Sequence, residues 1–194
     1  MTHVRSTQTS NSALRPNHRT DDGPMVLDLE AVETVRRGAS EDKLSDEANP
    51  WRLEIITLLN GALATELVCA LRYRRHHFTA DGLAAPKIAE EFLVHANEEL
   101  AHADRLARRI VQLDGKPDFA PDSLLARSHA GYDDSSDLQA MMHADLVAEL
   151  VAIETYTQMI ALVHHKDPVT RRLLEDILAD DQGHAEELKS WLAN

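Results

Sequence analysis

Along four stretches of the chain the apolar residues return every third or fourth position, the period of a helix that buries one face. The stretches cover about residues 51–78, 86–113, 137–165 and 168–192. The first stripe reads Ile56, Leu59, Leu63, Glu66, Ala70 and Tyr73, and the second reads Phe92, His95, Glu99, His102 and Leu106. The third is Leu138, Met142, Asp145, Glu149, Ala152, Tyr156, Met159 and Val163; the fourth is Leu174, Ile177, Asp181, His184, Leu188 and Trp191. Each stripe therefore carries at least one acid toward a core that would ordinarily exclude it.

The breaks between these stretches set the topology. Pro86 and Pro168 stand where proline is tolerated, in the opening turn of a helix, and Gly82 and Asp167 mark the turns before them. Connections this short make antiparallel hairpins of the first and second helices and of the third and fourth. Residues 114–136, with Gly115, Pro117, Pro121 and Gly131, are too long for a hairpin and can cross the length of a bundle. The third helix is then expected parallel to the second, with Ser135 or Ser136 as its N-cap. Upstream, Met25, Leu27, Leu29, Val32 and Val35 predict a short accessory helix within 25–40, followed by a polar linker ending at Pro50. The expected class is all-α: a flexible tail and accessory helix over 1–50, and a four-helix bundle with a long crossover over 51–194.

Composition narrows the partners. Aromatic residues make up 4% of the chain, too little for a β-sandwich, and the formal net charge of −13 suits small cations rather than nucleic acid. Arg5, Arg15 and Arg19 precede the first acid, Asp21, and raise the question of a DNA-binding arm; their density is low, and a solvated tail is the expectation. Cys69 is the single cysteine, so an intrachain disulfide and a CxxC metal centre are both excluded. The N-terminal 24 residues hold no secretory apolar core, and no uncharged run reaches membrane-spanning length. A soluble, cytoplasmic protein is expected.

The chemistry lies in a repeated constellation. Glu66, Tyr73 and the run Glu99-Leu-Ala-His102 recur as Glu149, Tyr156 and Asp181-Gln-Gly-His184, 83 or 82 residues later. A site for two metal ions inside a helix bundle needs this inventory: a carboxylate from each of two helices, and a carboxylate with a histidine three positions on from each of the other two. A single such pair on a helix is usually a surface ion pair, but two on apolar stripes, with two more inward glutamates, are a metal-ligand set. Two divalent cations would neutralise four buried carboxylates, and oxygen with imidazole donors suits iron or manganese. Tyr73 and Tyr156 read equally as core aromatics or as residues lining the site. Asp145 is expected to accept from a ligand histidine. His95 reads as a core or entry-path residue, and His76, His77, His164 and His165 as helix-end groups outside the site.

The run from Glu99 through His102 to Gly115-Lys-Pro, the run Asp145-Leu-Val-Ala-Glu149-Leu and the run Ile177-Leu-Ala-Asp-Asp-Gln-Gly-His184 resemble the bacterioferritins of the ferritin-like superfamily, over about residues 52–192. The resemblance implies oxidation of Fe(II) by dioxygen or hydrogen peroxide at an intrasubunit di-iron site, with ferric mineral stored in a hollow homo-oligomer. It implies Glu66, Glu99, His102, Glu149, Asp181 and His184 as ligands, Glu99 and Asp181 bridging, and Tyr73 beside the metals. Leu100 stands where that family places a haem-ligating methionine, so haem is not expected. Asp181 replaces a glutamate and reaches one methylene less far. The chain ends ten residues after His184, without the short fifth helix of twenty-four-subunit shells, which favours a twelve-subunit shell. The alternatives are a di-manganese catalase, a di-iron oxygenase, or a shell protein that shields DNA.

Overall fold

The computed structural model describes residues 29–40, 50–81 and 85–193. The arginine-bearing tail, residues 25–28 of the accessory-helix segment and the turn residue Gly82 lie outside them. Two units separate at residues 46 and 47. The first contains α1 (Leu29–Ser40), in which Thr34 donates back to the Glu30 carbonyl, 2.8 Å away. The second contains α2 (Pro50–Thr79), α3 (Ala85–Gln112), the one-turn α4 (Leu124–Arg127), α5 (Leu138–Val163) and α6 (Pro168–Leu192). All the described secondary structure is helical.

Contacts between side chains define the directions of the four long helices. Tyr156 meets Glu66 while Tyr73 meets Glu149, so α2 and α5 run antiparallel. His95 meets Glu187 while Arg105 meets Asp176, so α3 and α6 run antiparallel as well. With α2–α3 and α5–α6 forming hairpins, α3 and α5 point the same way, as the long crossover requires. A main core of Leu59, Leu63, Leu106, Ile110, Met159, Leu174 and Ile177 fills one end, and a smaller cluster of Phe92, Met141 and Leu188 fills the other. The inward polar residues lie between them.

The helix ends follow local chemistry. Asp137, rather than Ser135 or Ser136, caps α5, its carboxylate accepting from Ala140 N at 2.9 Å. A carboxylate at a helix N-terminus is favoured over a hydroxyl by its charge, and the carbonyls of Asp134 and Ser135 are instead held by Arg75, each at 2.7 Å. Helix α5 stops at Val163, short of His165, because His164 turns to a φ of 41°. Asp167 caps α6 ahead of Pro168 and also receives Arg109 of α3 at 2.7 Å, tying two helices at one end of the bundle. At the end of α3, Asp114 takes a φ of 58° and Gly115 packs so closely that a Cβ would lie 2.9 Å from Ile56 and Ile110.

Helices α2 and α5 are long and apolar enough to cross a membrane by length and composition. That differs from the sequence expectation, which asked for wholly uncharged runs. Both are bundle helices whose inner faces carry Glu66 and Glu149, and their outer faces expose Leu71, Val147, Leu150 and Leu162.

Candidate metal centre

The structure brings the six expected ligands together at mid-bundle, all buried. Two sets of four donors form, each with its ligand atoms within 4.8 Å of one another: Glu66, Glu99, His102 and Asp181, and Glu99, Glu149, Asp181 and His184. Glu99 and Asp181 belong to both sets. The i, i+3 spacing on α3 and on α6 puts each carboxylate and its histidine on the inner face, and the antiparallel crossing of α2 and α5 supplies Glu66 and Glu149 from opposite sides.

Both histidines turn Nδ1 inward. His102 Nδ1 lies 3.3 Å from Glu66 and 3.6 Å from Glu99; His184 Nδ1 lies 3.3 Å from Glu99 and 3.7 Å from Glu149. The outward nitrogens are held by acids of the opposite helix. His184 Nε2 pairs with Glu98 at 2.8 Å, and His102 Nε2 pairs with Asp180 at 3.2 Å. These acids each immediately precede a ligand carboxylate, and the doublets Glu98-Glu99 and Asp180-Asp181 recur at the same internal offset as the rest of the constellation. That recurrence was the sequence signal for them.

Asp145 does not hold a ligand histidine. It is fully buried and accepts from Arg72 Nε at 2.7 Å, with His76 Nδ1 at 2.9 Å. Arg72 reaches on to the Gly131 carbonyl at 2.8 Å. A buried guanidinium must be paired, and Asp145 is the carboxylate on the facing turn of α5. His76, in the last turn of α2 as expected, also joins this buried polar cluster, which anchors the crossover through Asp133. His77 Nδ1 donates to the Ala89 carbonyl near the start of α3, 2.6 Å away, and His164 and His165 follow the end of α5.

The two tyrosines are exchanged between halves. Tyr73 donates to Glu149 at 2.6 Å, and Tyr156 donates to Glu66. Both hydroxyls thus touch carboxylates of the two donor sets, and burial pushes both phenols well above their usual range, as do the neighbouring acids. His95, also on the inner face of α3, stacks on His184 with ring centroids 4.2 Å apart.

The electrostatics are those of four carboxylates and two imidazoles buried close together. Burial, then repulsion from Glu99 and Glu149, pushes Asp181 up to about 9. Burial and the Glu99 charge likewise raise Glu66 and Glu149. Glu99 is held low despite burial, by the close approach of Glu66, His102 and His184. Burial alone would lower the histidines, but contacts with Glu66 and Glu99 carry His102 up to about 11, and contacts with Glu149 and Glu99 carry His184 up to about 12. Even with these protons, Glu66 Oε2, both Asp181 oxygens and both inward Nδ1 atoms are buried without a hydrogen-bond partner. Orphaned atoms of this kind are rare in folded proteins. Their convergence, and their mixed oxygen and imidazole chemistry, fit a pair of divalent metal ions.

A family model described as a ferritin-like domain matches residues 56–194. The Pseudomonas aeruginosa bacterial ferritin is 34% identical over 141 residues, covering 72% of this chain and 86% of that protein. The Desulfovibrio desulfuricans bacterioferritin is 28% identical over 134 residues, covering 69% and 71%. Among solved structures, a dodecameric thioferritin related to bacterioferritin, from Bacteroides fragilis, superposes with a TM-score of 0.71 at 26% identity, over 85% of this chain and 93% of that one.

Proposed function

The chain belongs to the ferritin-like family, and we propose that it is a ferroxidase, oxidising Fe(II) to Fe(III) at its central site and storing the product inside a hollow homo-oligomer. The carrying observation is the overlap of the two donor sets in Glu99 and Asp181. In this reading Glu66 and His102 hold one Fe(II), Glu149 and His184 hold the other, and Glu99 and Asp181 serve both. Two bound Fe(II) ions supply one electron each to dioxygen or hydrogen peroxide. Asp180 and Glu98 keep the imidazoles aimed inward. Tyr156 and Tyr73 each bond one oxygen of Glu66 and Glu149, which orients the carboxylates toward the ions.

A polar cleft between α3 and α6, lined by acids and His95 rather than by an apolar wall, supports ions and small oxidants over an organic substrate. Apolar side chains exposed on α2 and α5 support assembly with further copies, and the likeness to a dodecameric protein favours twelve subunits over twenty-four. We place the protein in the cytoplasm, in keeping with a lone buried thiol. The test is Glu99→Ala combined with His102→Ala: rapid Fe(II) oxidation, followed by the ferric absorbance, should be lost while helical circular dichroism is unchanged. Unchanged kinetics would remove the assignment, and the native particle mass decides the shell.

A further inference from the structure

We propose that His76 is a proton-operated latch on the crossover between α3 and α5: with a proton on each ring nitrogen it joins Asp145 of α5 to Asp133 of the crossover, and losing one releases the crossover. The device uses none of the central donors and does not depend on what they bind. His76 is completely buried in the last turn of α2. Its Nδ1 lies 2.9 Å from Asp145 Oδ2, and its Nε2 lies 3.5 Å from Asp133 Oδ1, buried there without a hydrogen-bond partner. A neutral imidazole has one N–H and one lone pair, and Asp145 takes the N–H. The lone pair then faces a carboxylate oxygen, two acceptors with nothing to share. A second proton turns that opposition into an ion pair.

The groups around the ring make His76 the member that changes charge. On α2, Arg72 binds Asp145 Oδ1 at 2.7 Å and the Gly131 carbonyl at 2.8 Å, and a guanidinium keeps its proton at every working pH. On α5, Asp145 takes both Arg72 and His76. Helix α3 presents the uncharged Phe92 ring, with centroids 5.7 Å apart. On the crossover, burial would raise Asp133, but hydrogen bonds from Ser135 and the nearness of His76 hold it below its usual value. It is therefore a carboxylate across the range in which an imidazole titrates. Two further histidines lie near: exposed His143 of α5 lines the same recess as Asp133, and His129 Nδ1 lies 3.0 Å from Thr65 Oγ1.

Between α4 and α5 the crossover has no helical ladder of its own, so side chains hold it. Arg72 takes the Gly131 carbonyl, Arg75 takes those of Asp134 and Ser135, and Thr65 Oγ1 accepts from His129 N. The arginine ties persist at any working pH, whereas the His76–Asp133 tie depends on one proton. The stretch it pins borders a recess of about 330 Å³ against α5, with Arg72, Tyr132, Val147 and Val151 among its walls. The same stretch packs Ala130 against Cys69. Losing the tie widens the recess and uncovers the thiol.

Cys69, the single thiol of the chain, supplies the readout. Its labelling rate by an aromatic disulfide reagent, divided by that of the urea-unfolded chain at the same pH, measures how often the crossover lifts and cancels the thiol's own titration. In the full chain that ratio should rise about tenfold between about pH 5 and about pH 8, the loss of one charge-assisted contact. His76→Gln and Asp133→Asn should each abolish the rise, while His143→Gln, which changes the other histidine of the recess, should keep it. The Asp133 side chain is 32% exposed, so Asp133→Asn decides by itself if His76→Gln does not fold. A wild-type ratio indifferent to pH, a rise retained in Asp133→Asn or in folded His76→Gln, or a rise lost in His143→Gln would overturn the latch.

Discussion

Asp181→Asn should stabilise the metal-free protein and weaken the metal-loaded one. Both Asp181 oxygens are buried without hydrogen-bond partners, and burial with repulsion from Glu99 and Glu149 raises its pKa from 3.8 to about 9. The folded pKa of this acid lies above the unfolded one. Its contribution is therefore absent below about pH 4, grows more destabilising as pH rises between the two values, and is constant above about 9. At about 1.4 kcal/mol per pH unit, the burden at pH 7 is about 4 kcal/mol, an upper figure because neighbouring acids share the proton. Asparagine has nearly the same volume and never ionises. For a chain of this size the gain corresponds to about 10 °C in Tm, and the wild-type fall in Tm between pH 4 and 9 should flatten. With metal the sign reverses. Each site filled at a hundredfold above Kd stabilises the wild type by about 2.7 kcal/mol, and the variant forfeits most of that by losing a shared ligand. The assay is thermal unfolding at several pH values, with chelator and with Mn(II). A metal-free variant less stable than wild type would refute the reasoning, because Asp181 would then be compensated without an ion.

Three further outcomes are expected. Asp167→Ala should cost about 2–3 kcal/mol, measured by urea unfolding, because it removes the α6 cap and leaves Arg109 without its partner. Burial alone would raise Asp167, but bonds from Thr170 and Arg109 hold it low, so its stabilisation is full above about pH 4 and should fade as pH drops through the depressed value; the variant should lack that fading. Asp180→Asn should weaken Mn(II) binding about 10-fold by calorimetry with metal-free stability nearly unchanged, since the Asp180 side chain is 54% exposed and acts by orienting His102. Gly183→Ala should add about 1 kcal/mol, read from the urea midpoint, because an added Cβ meets nothing within 4 Å while helix propensity improves.

Periodicity made the four helices legible because each buries one face, and the acids and histidines that converge from those faces were legible with them. All eight long-helix ends fell within two residues, and what the pattern could not supply was the local detail that a single side chain or dihedral decides: Asp137 instead of a serine as the α5 cap, and the stop at Val163 where His164 takes a positive φ. What the pattern concealed was pairing across the bundle. Asp145 sits on the α5 stripe one turn before Glu149, where a partner for a ligand histidine was expected, yet Arg72 lies opposite it. Arg72 belongs to no apolar stripe, and its complete burial depends on the crossover folding over it through Gly131. The one-turn α4 was similarly invisible, since four residues carry no period. Glu98 and Asp180 are exposed and lie off the apolar stripes, so beyond their recurrence in the repeat only the opposite helix, which brings a histidine to each, gives them a role.

The repeat in the chain works through exchange rather than duplication. Each half supplies a glutamate, a tyrosine and a carboxylate–histidine helix, but the tyrosine of one half bonds the glutamate of the other, and the acid beside each ligand carboxylate holds the histidine of the other. Antiparallel crossing of α2 with α5 and of α3 with α6 makes this inevitable, because it brings equivalent positions together from opposite directions. Neither hairpin alone contains a complete donor set, so the site exists only when both halves dock, and the orphaned donors at its centre are a property of the docked fold. The exchange is not fully symmetric. Arg105 lies 3.7 Å from Asp180 and draws on the carboxylate that faces His102, whereas Glu98 faces His184 more closely, at 2.8 Å. A better-held Nε2 proton makes Nδ1 a stronger donor, so the Glu149–His184 half is expected to be the tighter seat for a divalent ion, which site-resolved Mn(II) or Co(II) titration would check.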